Sequence, residues 1–179
     1  GLTKDYIMKL YENVIIGNFL YTLGLNIGIN KELPKYSSIN LLQQTPADKA
    51  LGDVLLEFPG VVRLIEFKNK KSNKEKEKTR LKLLEMALSG EDKMIDISRQ
   101  IHWYIETEPS KDSCFNRIVP YLDAFDNEVH GEDTIEPYIE MIVQEINRPF
   151  DNSKHQDIKD YLKLIQMTQG SSSTGTGGL

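Results

Sequence analysis

Apolar positions change their spacing several times along this chain, and each change predicts an element. From Asp5 to Leu23, Ile7, Leu10, Tyr11, Val14, Ile15, Asn18 and Phe19 recur at helical spacing, with Thr3 or Asp5 as a start cap and Gly24 as a stop. Ile16, Leu20 and Leu23 add a second apolar face, so a well-buried helix is expected. The stretch from Gly24 to Thr45, with Asn26, Gly28, Pro34 and Ser37-Ser38, reads as loops. Two short runs rich in aliphatic and aromatic residues, Asp53 to Phe58 and Val61 to Phe67, flank Pro59-Gly60 and predict a hairpin.

Asn73 to Leu88 predicts a helix, with Leu81, Leu84 and Leu88 as its apolar stripe and Gly90 as its end. Ile101 to Thr107 reads as a strand, and Met94 to Gln100 as a segment able to run into it as helix. Thr134 to Asn147 and His155 to Met167 predict two further helices, parted by Pro149 and Asn152-Ser153. The closing GSSSTGTGGL is low-complexity, a tail or linker over 170–179. The fold class expected is α/β (α+β): a small mixed β-sheet flanked by helices, in one domain over 1–169.

Composition keeps that picture. A chain of 179 residues, 39% hydrophobic and 27% charged, suits one globular domain. No apolar run approaches the roughly 18 residues of a membrane span, and no basic-then-apolar leader opens the chain. The lone Cys114 forms no internal disulfide and suits a reducing, cytoplasmic setting. With His102, His130 and His155 it makes a poor zinc set, which leaves carboxylates as the metal ligands to consider. His130, in an acidic stretch around Gly131, reads as a surface loop.

Charge changes the picture more. The net charge of −5 argues against a uniformly basic surface. From Lys68 to Lys82, however, Lys and Arg crowd against two Glu, whereas 106–145 is acidic. The basic run reads either as a phosphate-contacting face, through Lys70, Lys71 and Lys74, or as a solvated helix.

The hairpin carries the chemistry. With Pro59-Gly60 as the loop, Phe58 faces Val61, Leu56 faces Arg63 and Asp53 faces Glu66. Opposed residues share a face with Cβ atoms about 4.5–5.5 Å apart, and Lys68, two beyond Glu66, points the same way. Two opposed carboxylates call for a cation between them, and Mg²⁺ or Mn²⁺ is the expected one.

These residues resemble the PD-(D/E)xK nuclease superfamily, over roughly 5–107. The match runs through a helix bearing Glu12, a strand opening on Asp53 (after Gly52) and a strand carrying Glu66-Phe67-Lys68. A literal Pro-Asp is absent before the hairpin; Pro46-Ala47-Asp48 lies too early. The resemblance implies a restriction-endonuclease-like core with a C-terminal helical extension over 115–169. It implies Mg²⁺ (or Mn²⁺) on Asp53, Glu66, the Phe67 carbonyl and Glu12, with Lys68 assisting phosphodiester hydrolysis. Gln100 and Tyr104 resemble a Gln–Tyr motif of some exonuclease branches and would flank the site.

The resemblance implies hydrolysis of DNA, or RNA, by the effector domain of a restriction or antiphage system, with a partner protein or further domain supplying specificity. The alternative is a non-catalytic module that docks a protein partner through its acidic helical surface.

Overall fold

The computed structural model describes residues 3–29, 54–149 and 151–170 (for 4–12, the backbone alone). A four-stranded mixed sheet of order β1-β2-β3-β4 lies between two layers of helices. The elements in chain order are α1 (Lys4–Ile29), β1 (Val54–Phe58), β2 (Val61–Asn69), α2 (Glu75–Leu88), α3 (Asp92–Ile101), β3 (His102–Thr107), β4 (Phe115–Pro120), a 3₁₀ turn (Tyr121–Asp123), α4 (Glu136–Ile146) and α5 (His155–Gly170).

The hairpin adopts the register its sequence implies. Leu56 pairs with Arg63 and Phe58 with Val61, and Gly60 takes φ 77°. Proline fixes φ near −65° at the first turn position, so the residue after it must supply the positive φ, which glycine adopts without a Cβ clash. β2 then pairs with β3 in parallel, Glu66 beside Tyr104 and Lys68 beside Glu106. A parallel pair needs a long crossover, which α2 and α3 provide. α3 passes into β3 without a loop, so the helical and strand readings of 94–107 both hold, on either side of Ile101.

Strand alternation sorts the core into two halves. Val54, Leu56, Ile65, Phe67, Ile105 and Ile118 pack towards α1 and α4. Leu55, Leu64, Tyr104 and Val119 pack on the other face, with α2, α3 and α5. Burial on both faces explains the near-continuous apolar run of β2.

Three sequence expectations are corrected. Gly24 does not end α1, which runs on to Ile29 and also absorbs Gly28. An interior glycine costs only about 1 kcal/mol, and the burial of Leu23 and Ile27 on either side of Gly24 offsets it. The expected second face is covered in part: Leu23 is buried and Ile16 and Leu20 pack partly against the core, but other apolar positions are not. Ile15, Phe19, Leu23 and Ile27 form one inward stripe, while Val14, Tyr21, Leu25 and Ile29 stand exposed. The third correction is β4, which the sequence reading passed over. Phe115–Pro120 pairs antiparallel with β3, and α4 packs in the same core half as α1. Residues 115–146 thus complete the sheet and core begun by 54–107.

β4 also organises the loop after it. Its Arg117 donates to the carbonyls of Asp123, Ala124, Asp126 and Val129. Ile118 exchanges backbone bonds with Glu132, at 2.8 and 3.2 Å. Gly131 makes that approach possible: its φ is 67°, and a Cβ there would lie 2.4 Å from the Ile118 carbonyl oxygen. The loop around His130 is therefore pinned to the sheet.

On the α2–α3–α5 side, His102 is buried and stacks on Tyr121, with ring centroids 4.0 Å apart and planes 5° apart. The Tyr161 hydroxyl lies 2.7 Å from His102 Nδ1 and 2.8 Å from Ser98 Oγ. Burial lowers the His102 pKa to about 3.

Two outcomes follow from these contacts. Gly131→Ala should lower unfolding free energy by about 2–3 kcal/mol, from left-handed strain plus the clash; a urea titration that moves by under about 0.5 kcal/mol would contradict the close approach. His102 binds its proton in the unfolded chain below pH about 6.5 but stays neutral in the fold down to about 3. Stability should therefore fall as pH drops through that window, by about 2 kcal/mol between pH 7 and 5 from this group. His102→Gln should remove that component, and an unchanged pH slope would refute the buried neutral imidazole.

Candidate active site

A central strand buried on both faces has little room for charge, yet β2 carries two nearly inaccessible ionic residues, Arg63 and Glu66. They lie on opposite faces. Arg63 points towards α4 and is met by Glu145 at 2.5 Å. Glu66 faces the α2 side, where Lys68 Nζ lies 3.6 Å from its Oε1. The Lys68 side chain keeps 26% exposure against 5% for Glu66, so the ammonium lies between the buried acid and solvent. Both residues sit where β2 extends beyond its last observed pairing with β1, Val54 opposite Ile65.

The same ammonium lies 3.9 Å from Oε2 of Glu77 on α2. Sequence reasoning missed this second acid, which is 2% exposed. Its Oε1 accepts a 2.5 Å hydrogen bond from the Tyr121 hydroxyl, and Arg80 reaches Oε2 at 3.6 Å. Gln169 of α5 donates to the same hydroxyl at 3.4 Å. Burial, with the charges of Glu77 and Glu66, pushes the Tyr121 phenol far up, so it remains a donor. A signal for Glu77 was present in the pattern: it precedes Leu81 by four residues and Leu84 by seven, and so continues the buried stripe of α2.

Tyr104, beside Glu66 in register, is fully buried; its hydroxyl lies 3.4 Å from Glu106. Its phenol is likewise raised by burial first, then by Glu106 and Glu77. Glu106 also accepts from Asn116 at 2.5 Å and lies 3.6 Å from Lys74. Lys74, Lys78, Glu106, Asn116, Phe125 and His130 line a polar cleft of about 530 Å³ on this side of the sheet.

The other expected site residues are distributed as follows. Phe67 packs its ring into the α1–α4 core half, 5.6 Å from Phe19, so only its backbone is available to the site. Lys70 is paired with Glu108 at 3.4 Å, and Lys71 is exposed where the chain turns from β2 towards α2. Gln100 ends up on α3, accepts from Lys154 at 3.1 Å and lines a larger cavity of about 840 Å³ at the Pro59-Gly60 end of the sheet. That cavity contains none of Glu66, Lys68 and Glu77. Gln100 and Tyr104 are therefore not brought together. Asp53 and the Glu12 carboxylate lie outside the described residues.

Among the described residues no three His, Cys, Asp or Glu side chains cluster as a metal site. Glu66 and Glu77 nonetheless approach one ammonium from two elements, and Mg²⁺ needs only one or two carboxylates beside water and phosphate. Several carboxylates of the acidic 106–145 region are engaged within the chain: Glu106 with Lys74, Glu108 with Lys70, Asp123 with Arg99 and Glu145 with Arg63. No helix among the described residues is long and apolar enough to cross a membrane. No protein-family model, curated protein or solved structure matches the chain.

Removing the Tyr121 hydroxyl should expose the cost of the buried acid. Tyr121→Phe is expected to destabilise the fold by about 1–3 kcal/mol, because Glu77 then loses a buried donor. A double-mutant cycle with Glu77→Gln checks this, and a coupling energy near zero would mean that the 2.5 Å contact carries no stability.

Proposed function

We propose that this chain is a Mg²⁺- or Mn²⁺-dependent nuclease of the PD-(D/E)xK kind, acting on DNA. The observation that carries the reading is the Glu66–Lys68 pair: a buried carboxylate and a half-buried ammonium 3.6 Å apart, two residues apart on one face of the central strand. Such acids cost stability and are frequent at sites of chemistry. The hairpin register from Phe58–Val61 to Val54–Ile65, carried on by one residue, would set Asp53 opposite Glu66. The helical crossover to a parallel β3 also suits a restriction-endonuclease-like core.

Glu66, with Asp53 and the Phe67 carbonyl, would hold the cation. When bound, the ion lowers the pKa of a water and neutralises charge on a phosphate. Lys68 contributes a fixed positive charge beside the acid, suited to a phosphate whose negative charge grows during hydrolysis. Exposed Lys71, with Lys74 at the cleft edge, offers backbone-phosphate contacts without base selectivity. A net charge of −5 makes the chain a weak DNA binder alone, so a partner protein or further domain supplies affinity and specificity. Restriction or antiphage defence is the setting that combination suits.

The purified chain, alone and with candidate partners, should cut linear or circular DNA with Mg²⁺ or Mn²⁺ and stop with EDTA. Asp53→Ala and Lys68→Ala should each lower the rate by about 100-fold or more. A protein that binds no divalent ion and cleaves neither DNA nor RNA overturns the reading.

A further inference from the structure

Glu77 is the residue of this face that neither the hairpin nor the Glu-x-Lys spacing accounts for. It sits in the first turn of α2, where an acid at the surface would serve the helix dipole without being buried. An Arg80 partner three residues on would be equally available at the surface. Its 2% exposure therefore needs another reason.

The two carboxylate oxygens are used differently. Oε1 is tied to the fold: it accepts a hydrogen bond from the Tyr121 hydroxyl at 2.5 Å, and Tyr121 is held by the His102 stack and by Gln169. Oε2 is turned to the cations, 3.6 Å from Arg80 and 3.9 Å from Lys68. Lys68 thus has Glu66 of its own strand on one side and Glu77 of α2 on the other. A lysine has four rotatable bonds and no planar fork to orient it, so its ammonium is placed by the carboxylates around it. Two carboxylates from separate elements restrict it to the space between them.

We propose that Glu77 is a positioning residue for Lys68, holding its ammonium over Glu66 through an Oε2 that Tyr121 orients. Its part in catalysis rests on the nuclease reading; its grip on Lys68 does not. Glu77 acts through Lys68 and needs no contact with substrate. The Tyr121 and Gln169 contacts make this grip depend on the 3₁₀ turn and on α5, which otherwise lie away from the Glu-x-Lys strand.

The test uses ¹⁵N-labelled full chain and follows the Lys68 Nζ ammonium signal, identified by its loss in Lys68→Arg. Wild type should show a resolved signal, because the group is held and its exchange with water slowed. Glu77→Gln keeps the side-chain volume and an acceptor for Tyr121 but removes the charge, and should abolish that signal. Arg80→Gln should leave it in place. In DNA cleavage, Glu77→Gln should lower kcat about 10- to 100-fold with KM within two-fold, and Tyr121→Phe should produce a smaller loss of kcat. If Glu77→Gln leaves both the Lys68 signal and kcat at wild-type values, the proposal is overturned, whatever happens to the melting temperature. If the signal is lost in Glu77→Gln but wild type cleaves nothing, the grip on Lys68 stands and the nuclease reading alone fails.

Discussion

A carboxylate inside a central strand is the constraint on which this molecule depends. Glu66 has apolar neighbours in sequence, a strand beside it and helices over its face, and only 4% of its surface reaches solvent. Its charge requires a cation close by, and among the described residues Lys68 lies 3.6 Å away. Lys68 in turn brings in Glu77, and Glu77 brings in Tyr121 and Arg80. Glu66, Glu77 and Tyr121 are buried, while Lys68 and Arg80 keep partial exposure. Buried ionic groups carry a desolvation penalty that apolar side chains of similar volume do not. That penalty is what the proposed function would account for.

The sheet topology decides where the network falls. Parallel pairing of β2 and β3 puts their carboxyl ends side by side, which brings Lys68 next to Glu106 and Glu66 next to Tyr104. In open α/β sheets ligands bind outside the carboxyl ends of parallel strands. The polar cleft bounded by Lys74, Lys78 and Glu106 lies on this side, whereas the larger cavity lies at the hairpin end. Acidic and basic groups are therefore concentrated where the crossover helix begins, and Tyr121 and His102 anchor them from the interior.

Much of this was legible in the sequence where local chemistry dictates geometry. Pro59-Gly60 admits few turn conformations, so the facing of Leu56 and Arg63 followed from spacing alone. The stripe Leu81, Leu84, Leu88 likewise placed α2. What escaped was set by tertiary packing. Gly24 reads locally as a stop, but α1 continues because Leu23 and Ile27 are buried. β4 is six residues long, and its Asn116 and Arg117 broke the apolar pattern; their partners are Glu106 and the carbonyls of residues 123–129. Glu77 was hidden in a run of alternating Glu and Lys, and only its place on the leucine stripe distinguishes it from Glu75. Tyr121 had no local signal, because its role comes from an acid 44 residues earlier in the chain.

We propose that the Glu66 face holds a divalent cation, and paramagnetic broadening reads such binding directly. Metal-stripped, ¹⁵N-labelled protein is titrated with Mn²⁺ while the backbone amides of β2 are followed. The Glu66, Phe67 and Lys68 amides should broaden first, Mg²⁺ should reverse the effect by competition, and Glu66→Gln should abolish it. Broadening confined to the acidic surface around Glu128 and Asp133, with β2 untouched, would contradict that proposal.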